Sequence, residues 1–171
     1  MKKRICALVL AAAVLLAALA AFAEEDDADQ FYTLYVICKP DSYVNVREFP
    51  KKNALQAGRV ECGDEVETKG EKRGQYLKVY ISGIEAGEGW IHRGYLVEEV
   101  PEVYRDGIPG EIRAKGRVAV RRFVDGPRRV WISPGKQVKI YALSDEWALT
   151  NRGFIRREFI EIWEEEARDA A

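Results

Sequence analysis

Apolar and polar residues alternate with a period of two over short runs through most of the chain. Val44 and Val46, then Leu77, Val79 and Ile81, then Val118 and Val120, then Val138 and Ile140 each stand between polar neighbours. That period turns one face of a strand to a core and the other to water. Turn signals separate the runs, at Lys39-Pro40-Asp41, Cys62-Gly63-Asp64, Lys72-Arg73-Gly74, Asp125-Gly126-Pro127 and Ser133-Pro134-Gly135. Short strands so spaced predict an all-β chain of small barrels rather than a sheet with crossover helices. Only Glu158 to Ala171 has helical composition, with its apolar residues at the start. It predicts a last strand or turn and then a polar tail over 164–171.

The N-terminus breaks this pattern. Lys2, Lys3 and Arg4 precede an apolar run from Ile5 to about Ala23, which closes on Ala21-Phe22-Ala23 before the acidic run Glu24 to Asp27. A positive start, an apolar stretch and a small-x-small end predict a signal peptide over 1–23, cleaved after Ala23. An acidic tail over 24–31 follows, and the expected location is extracytoplasmic: periplasmic, secreted or associated with a bacterial cell wall. Left uncleaved, the same run approaches the ~20 residues that cross a bilayer and would be the chain's membrane contact.

The runs also repeat. Val44-Asn45-Val46-Arg47 with Phe49 lies over Val118-Ala119-Val120-Arg121 with Phe123, and Gly63-Asp64-Glu65-Val66 over Gly135-Lys136-Gln137-Val138. Tyr76 falls near Trp147, Gly89-Trp90-Ile91 over Gly153-Phe154-Ile155, and Tyr95-Leu96 over Phe159-Ile160. The offset shrinks from 74 residues to 64 because the first copy has longer loops, yet the order holds. A duplication is expected, with one barrel over 32–100, a Pro- and Gly-bearing linker over 101–116, and a divergent barrel over 117–163.

Removing Lys2, Lys3 and Arg4 from 27 basic residues against 28 acidic ones leaves a net charge near −4, which disfavours a nucleic-acid partner. The basic pairs Arg121-Arg122, Arg128-Arg129 and Arg156-Arg157 interrupt apolar residues at strand spacing and read as solvated strand faces. His92 is the only histidine, and its place in the second copy is taken by Arg156. It therefore reads as a strand-surface residue rather than a catalytic one, and no catalytic residue, metal site or cofactor is expected. Cys38 and Cys62 remain after export. An even count in an oxidising compartment admits either one disulfide or two buried thiols that never meet.

The ordered set V-N-V-R with Pro50, then Gly63-Asp64, then Gly89-Trp90-Ile91 with Tyr95-Leu96, resembles the bacterial SH3-like domain. The second copy has Ala119 for the Asn, Val124 for the Pro and Phe154 for the Trp, and resembles it less. The resemblance implies a non-catalytic targeting or binding module of the cell envelope that holds peptidoglycan, its stem peptides or another peptide. A module that holds another exported protein is the alternative, and an envelope hydrolase using His92 is a third reading. Shallow grooves lined by aromatic rings suit such binding. Tyr43, Tyr76 and Tyr80 are the candidate ligand contacts, with Arg47 to meet a carboxylate. Tyr76, Lys78 and Tyr80 share strand parity and so one outer face.

Overall fold

The computed structural model describes residues 30–83 and 86–163. The expected signal peptide, most of the acidic tail and the polar tail over 164–171 lie outside the described residues. Among the described residues, fifteen strands form two antiparallel sheets. The first comprises β1 (Tyr32–Val36), β2 (Tyr43–Arg47), β3 (Gln56–Glu61), β4 (Glu65–Thr68), β5 (Lys72–Arg73), β6 (Tyr76–Tyr80), β7 (Glu88–His92) and β8 (Leu96–Val97). The second comprises β9 (Glu102–Ile112), β10 (Val118–Arg121), β11 (Arg128–Ile132), β12 (Gln137–Leu143), β13 (Trp147–Thr150), β14 (Phe154–Arg156) and β15 (Ile160–Ile162). The all-β expectation holds.

The strand order is β3-β2-β7-β6-β4-β1-β8 in the first sheet and β11-β10-β14-β13-β12-β9-β15 in the second. Once the two-residue β5 is set aside, which pairs with β6 alone, each strand of one sheet takes the place of its serial counterpart in the other. The turns agree as well. Gly63 N–H donates to Val36 O and Gly135 N–H to Ile112 O, each at 2.8 Å. Ile37 N–H donates to Tyr95 O and Arg113 N–H to Phe159 O, each at 2.9 Å. Gly63 and Gly135 have φ of 91° and 75°, which residues with a Cβ adopt only under strain.

Alternation fills each core. Val44, Val46, Leu77, Val79 and Ile91 meet inside the first sheet, and Val118, Val120, Val138, Ile140 and Ile155 inside the second. Gly89 lets β7 cross close to β2. A Cβ there would lie 2.4 Å from Val46 Cγ1 and 3.1 Å from Arg47 O. Arg47 then closes the following loop by donating to Ala54 O at 2.8 Å, as Arg121 donates to Gly126 O at 2.7 Å.

One expected boundary is wrong. The presumed linker over 101–116 contains β9, the longest strand, which pairs with both β12 and β15. Its glycines serve close packing rather than looseness. A Cβ on Gly110 would meet Ile140 Cδ1 at 2.7 Å and Glu161 O at 3.0 Å, and Gly107 takes φ 70° against Lys139. Pro109 sits just before the β15 ladder, which begins at Gly110. Tyr104, Ile108 and Ile112 are buried in the second core. The second sheet therefore begins at Glu102, ahead of the expected start at 117.

A third apolar cluster joins the sheets. Ile37 and Val97 of the first pack with Ala142, Trp147, Leu149 and Phe154 of the second. Trp147 is 2% exposed. Both sheets belong to one compact unit that starts at Phe31. A small barrel has little core of its own, and this shared cluster adds to both.

Candidate functional site

A cleft of about 930 Å³ opens where the two sheets meet. Tyr43, Arg47, Tyr76, His92 and Tyr95 line it from the first sheet, and Arg122, Phe123, Arg129, Arg152 and Phe154 from the second. The strand pattern explains the rings. On β6, Leu77 and Val79 are buried while Tyr76, Lys78 and Tyr80 share the other, half-buried face, as the parity predicts. Tyr76 stands opposite His92 on β7 and meets its ring edge-on at 5.6 Å between centroids.

His92 is not the strand-surface residue that the sequence suggests. It is half-buried, and its imidazole packs on Phe123 with centroids 4.3 Å apart and edge-on to Tyr95 at 5.8 Å. Its Nδ1 accepts from Gly94 N–H at 3.2 Å and caps the 3-10 turn Arg93–Tyr95. Burial, and then the charge of Arg93, hold its pKa below the ordinary 6.5. In the second sheet Arg156 stands opposite Trp147 and stacks over its ring at 4.1 Å, so the same place is filled without an imidazole.

Of the four expected ligand contacts, the structure brings three together. Tyr43, 47% exposed, lies beside Arg47 and Tyr76 in the cleft. Tyr80 does not line it and packs edge-on to Phe31 at 5.0 Å instead. Arg47 spends one nitrogen on Ala54 O, so its charge reaches the cleft from a fixed position. Asn45, which precedes Arg47 on β2, lines the same cleft, and its buried Oδ1 has no hydrogen-bond partner among the described residues.

Sequence reading missed Phe123, Arg122, Arg129 and Arg152, which reach the cleft from the second sheet. The signal available was the pairing of basic residues at 121–122 and 128–129. Only the fold shows that they share a cleft with Lys51 and Lys52.

Cys38 and Cys62 are free thiols brought into contact. Cys62 Sγ accepts from Cys38 N–H at 3.2 Å, and the Cys38 thiol donates to Ser42 O at 3.7 Å. The neighbouring Cys62 sulfur and then burial push the Cys38 pKa up, and the contact with Cys38 holds Cys62 down. Among the described residues no cluster of three His, Cys, Asp or Glu side chains could hold a metal ion. No described helix is long and apolar enough to cross a membrane.

Residues 42–97, from β2 to β8, match the family model of the bacterial SH3 domain. The chain is also similar to two solved structures, NlpC2 and NlpC1 from Trichomonas vaginalis. Identities are 14% and 15% and TM-scores 0.33 and 0.30. Each similarity covers 77% of this chain but 48% and 46% of the other, so the chain spans about half the length of those proteins. No curated protein matches the chain.

Proposed function

We propose that this chain is an exported, non-catalytic binding protein of the bacterial cell envelope, built from two SH3-like copies. In this reading the second sheet is a divergent copy of the first, and the cleft between them holds peptidoglycan or its stem peptides. The observation that carries the reading is the ring-lined cleft built jointly by the bacterial SH3 domain and a second sheet of the same strand order. Bacterial SH3 domains generally bind cell-wall components or proteins. Rings supply large contact area at little entropic cost, which suits reversible capture of an extended ligand.

Exposed apolar side chains favour a second reading, in which the partner is another exported protein. Phe49 and Leu55 are 61% and 72% exposed, on the loop that also sends Lys51 and Lys52 into the cleft. Sedimentation of the purified chain with purified peptidoglycan separates the two. Wall binding carries the protein into the pellet. Protein left in the supernatant favours the protein partner. Export is tested by intact mass, with the exported chain expected to start at Glu24.

A further inference from the structure

We infer that the cleft between the sheets selects an acidic peptide, held through its carboxylates between basic residues of both halves. The inference rests on the binding function proposed above and names the chemistry that the site would take.

Charge is segregated around the junction of the sheets. Lys39, Arg47, Lys51 and Lys52 line the cleft from the first half, and Arg122, Arg129 and Arg152 from the second. Among the described residues no aspartate or glutamate lines it, although the chain carries 28 acidic residues against 27 basic ones. A smaller recess at the same junction, about 170 Å³, is lined by Glu98, Glu99, Asp125 and Glu146, of which Asp125 and Glu146 pair with Arg156. Arg73, Lys78, Arg105, Arg113 and Arg156, which pair with carboxylates among the described residues, all lie outside the cleft. The cleft cations have no such carboxylate partner among the described residues. Like charges gathered in one concavity repel each other, and an anionic ligand relieves that repulsion. Arginine also meets a carboxylate with two parallel hydrogen bonds.

The rings decide the class of anion. Tyr43, Tyr76, Tyr95, Phe123 and Phe154 give the cleft apolar surface between its charges. A peptide offers aliphatic groups and backbone between its carboxylates, whereas a phosphate polymer offers none of comparable size.

The test uses the purified chain and three probes: a short fluorescent peptide of alternating Ala and Glu, its Ala-Gln counterpart, and inorganic polyphosphate. The Ala-Glu peptide is expected to bind at least about tenfold more tightly than the Ala-Gln peptide, with affinity falling as salt rises. Arg122→Glu with Arg129→Glu, and separately Lys51→Glu with Lys52→Glu, should each weaken it about tenfold or more. All four residues are exposed, so the exchanges should leave thermal unfolding close to that of the parent chain. Equal binding of the two peptides overturns the inference without any variant. So does unchanged affinity in either folded reversal variant, or binding of polyphosphate but not of the Ala-Glu peptide. Sedimentation with peptidoglycan runs in parallel. If the parent chain pellets and both reversal variants pellet equally, the wall-binding reading stands and the acidic-peptide inference fails. If the parent chain binds the Ala-Glu peptide but does not pellet, the acidic-peptide inference stands and the wall-binding reading fails.

Discussion

The ring of Phe123, just after β10, lies on the imidazole of His92, at the end of β7, with 4.3 Å between centroids. This contact ties the loop of one sheet to the turn of the other, and Val124 N–H donates to Gly94 O at 3.0 Å beside it. With the shared cluster around Trp147 and Ile37, it holds the two halves at the distance that makes the cleft.

Gly94 is the residue that this approach requires. A Cβ there would lie 2.4 Å from Phe123 Cβ. Gly94→Ala should therefore push the halves apart at a cost of about 1–3 kcal/mol, the usual penalty for overpacking a tight contact. Chemical denaturation checks this. A cost under about 0.5 kcal/mol, the range of ordinary surface substitutions, would mean that the contact yields freely.

His92 makes stability depend on pH. Its folded pKa is lowered from 6.5, first by burial, so within the window just below 6.5 the unfolded chain binds a proton that the folded chain does not. Its contribution is complete above about 6.5 and is lost as pH falls through that value to the folded one. A proton on Nδ1 would also remove the acceptor for Gly94 N–H. The parent chain should lose more stability between about pH 8 and about pH 5 than His92→Gln does, since acid effects on carboxylates are common to both. Equal losses would contradict the half-buried position.

Much of this was readable before folding was considered. Val44, Val46, Leu77 and Val79 point inward as period two requires, and Gly63 and Gly89 sit where a turn and a close crossing need them. The strand β9 was not readable, because Gly107, Pro109 and Gly110 have the composition of a linker. Their spacing against Ile140 and Glu161 is a tertiary fact. The same holds for the cleft. Tyr43, Arg47 and Tyr76 could be named from ring content and strand parity. Tyr80 shares that parity with Tyr76, and only the packing of Phe31 separates the two. Arg122 and Arg129 read as solvated faces because nothing local shows that another sheet stands across from them.

The matching strand orders predict matching sensitivities. Gly89→Ala drives a Cβ into Val46, and Gly153→Ala drives one to 2.6 Å from Arg121 O and 3.0 Å from Val120 Cγ1. Each should cost about 1–3 kcal/mol. Gly153 should be the worse, because its φ of 134° adds backbone strain. Thermal unfolding of the two variants provides the check, and a harmless Gly153→Ala would separate the behaviour of the two halves.

The thiols should differ in reactivity. Cys62 is partly exposed with its pKa held down, while Cys38 is buried with its pKa pushed up. Limited alkylation followed by peptide mass mapping should find Cys62 modified first. Modification of Cys38 ahead of Cys62 would contradict the difference in their surroundings. A bridge between the two in the unreduced protein would be seen as the absence of both free thiols.

The most direct measurement is sedimentation with purified peptidoglycan for the parent chain, Tyr43→Ala with Tyr76→Ala, and Tyr80→Ala, each first shown to be folded by circular dichroism. Tyr43 and Tyr76 line the cleft and Tyr80 does not. The account predicts that the parent chain and Tyr80→Ala pellet alike while the double variant stays largely in the supernatant. Equal pelleting of all three would contradict the cleft as the binding site, and a parent chain that remains in solution would contradict binding to the wall itself.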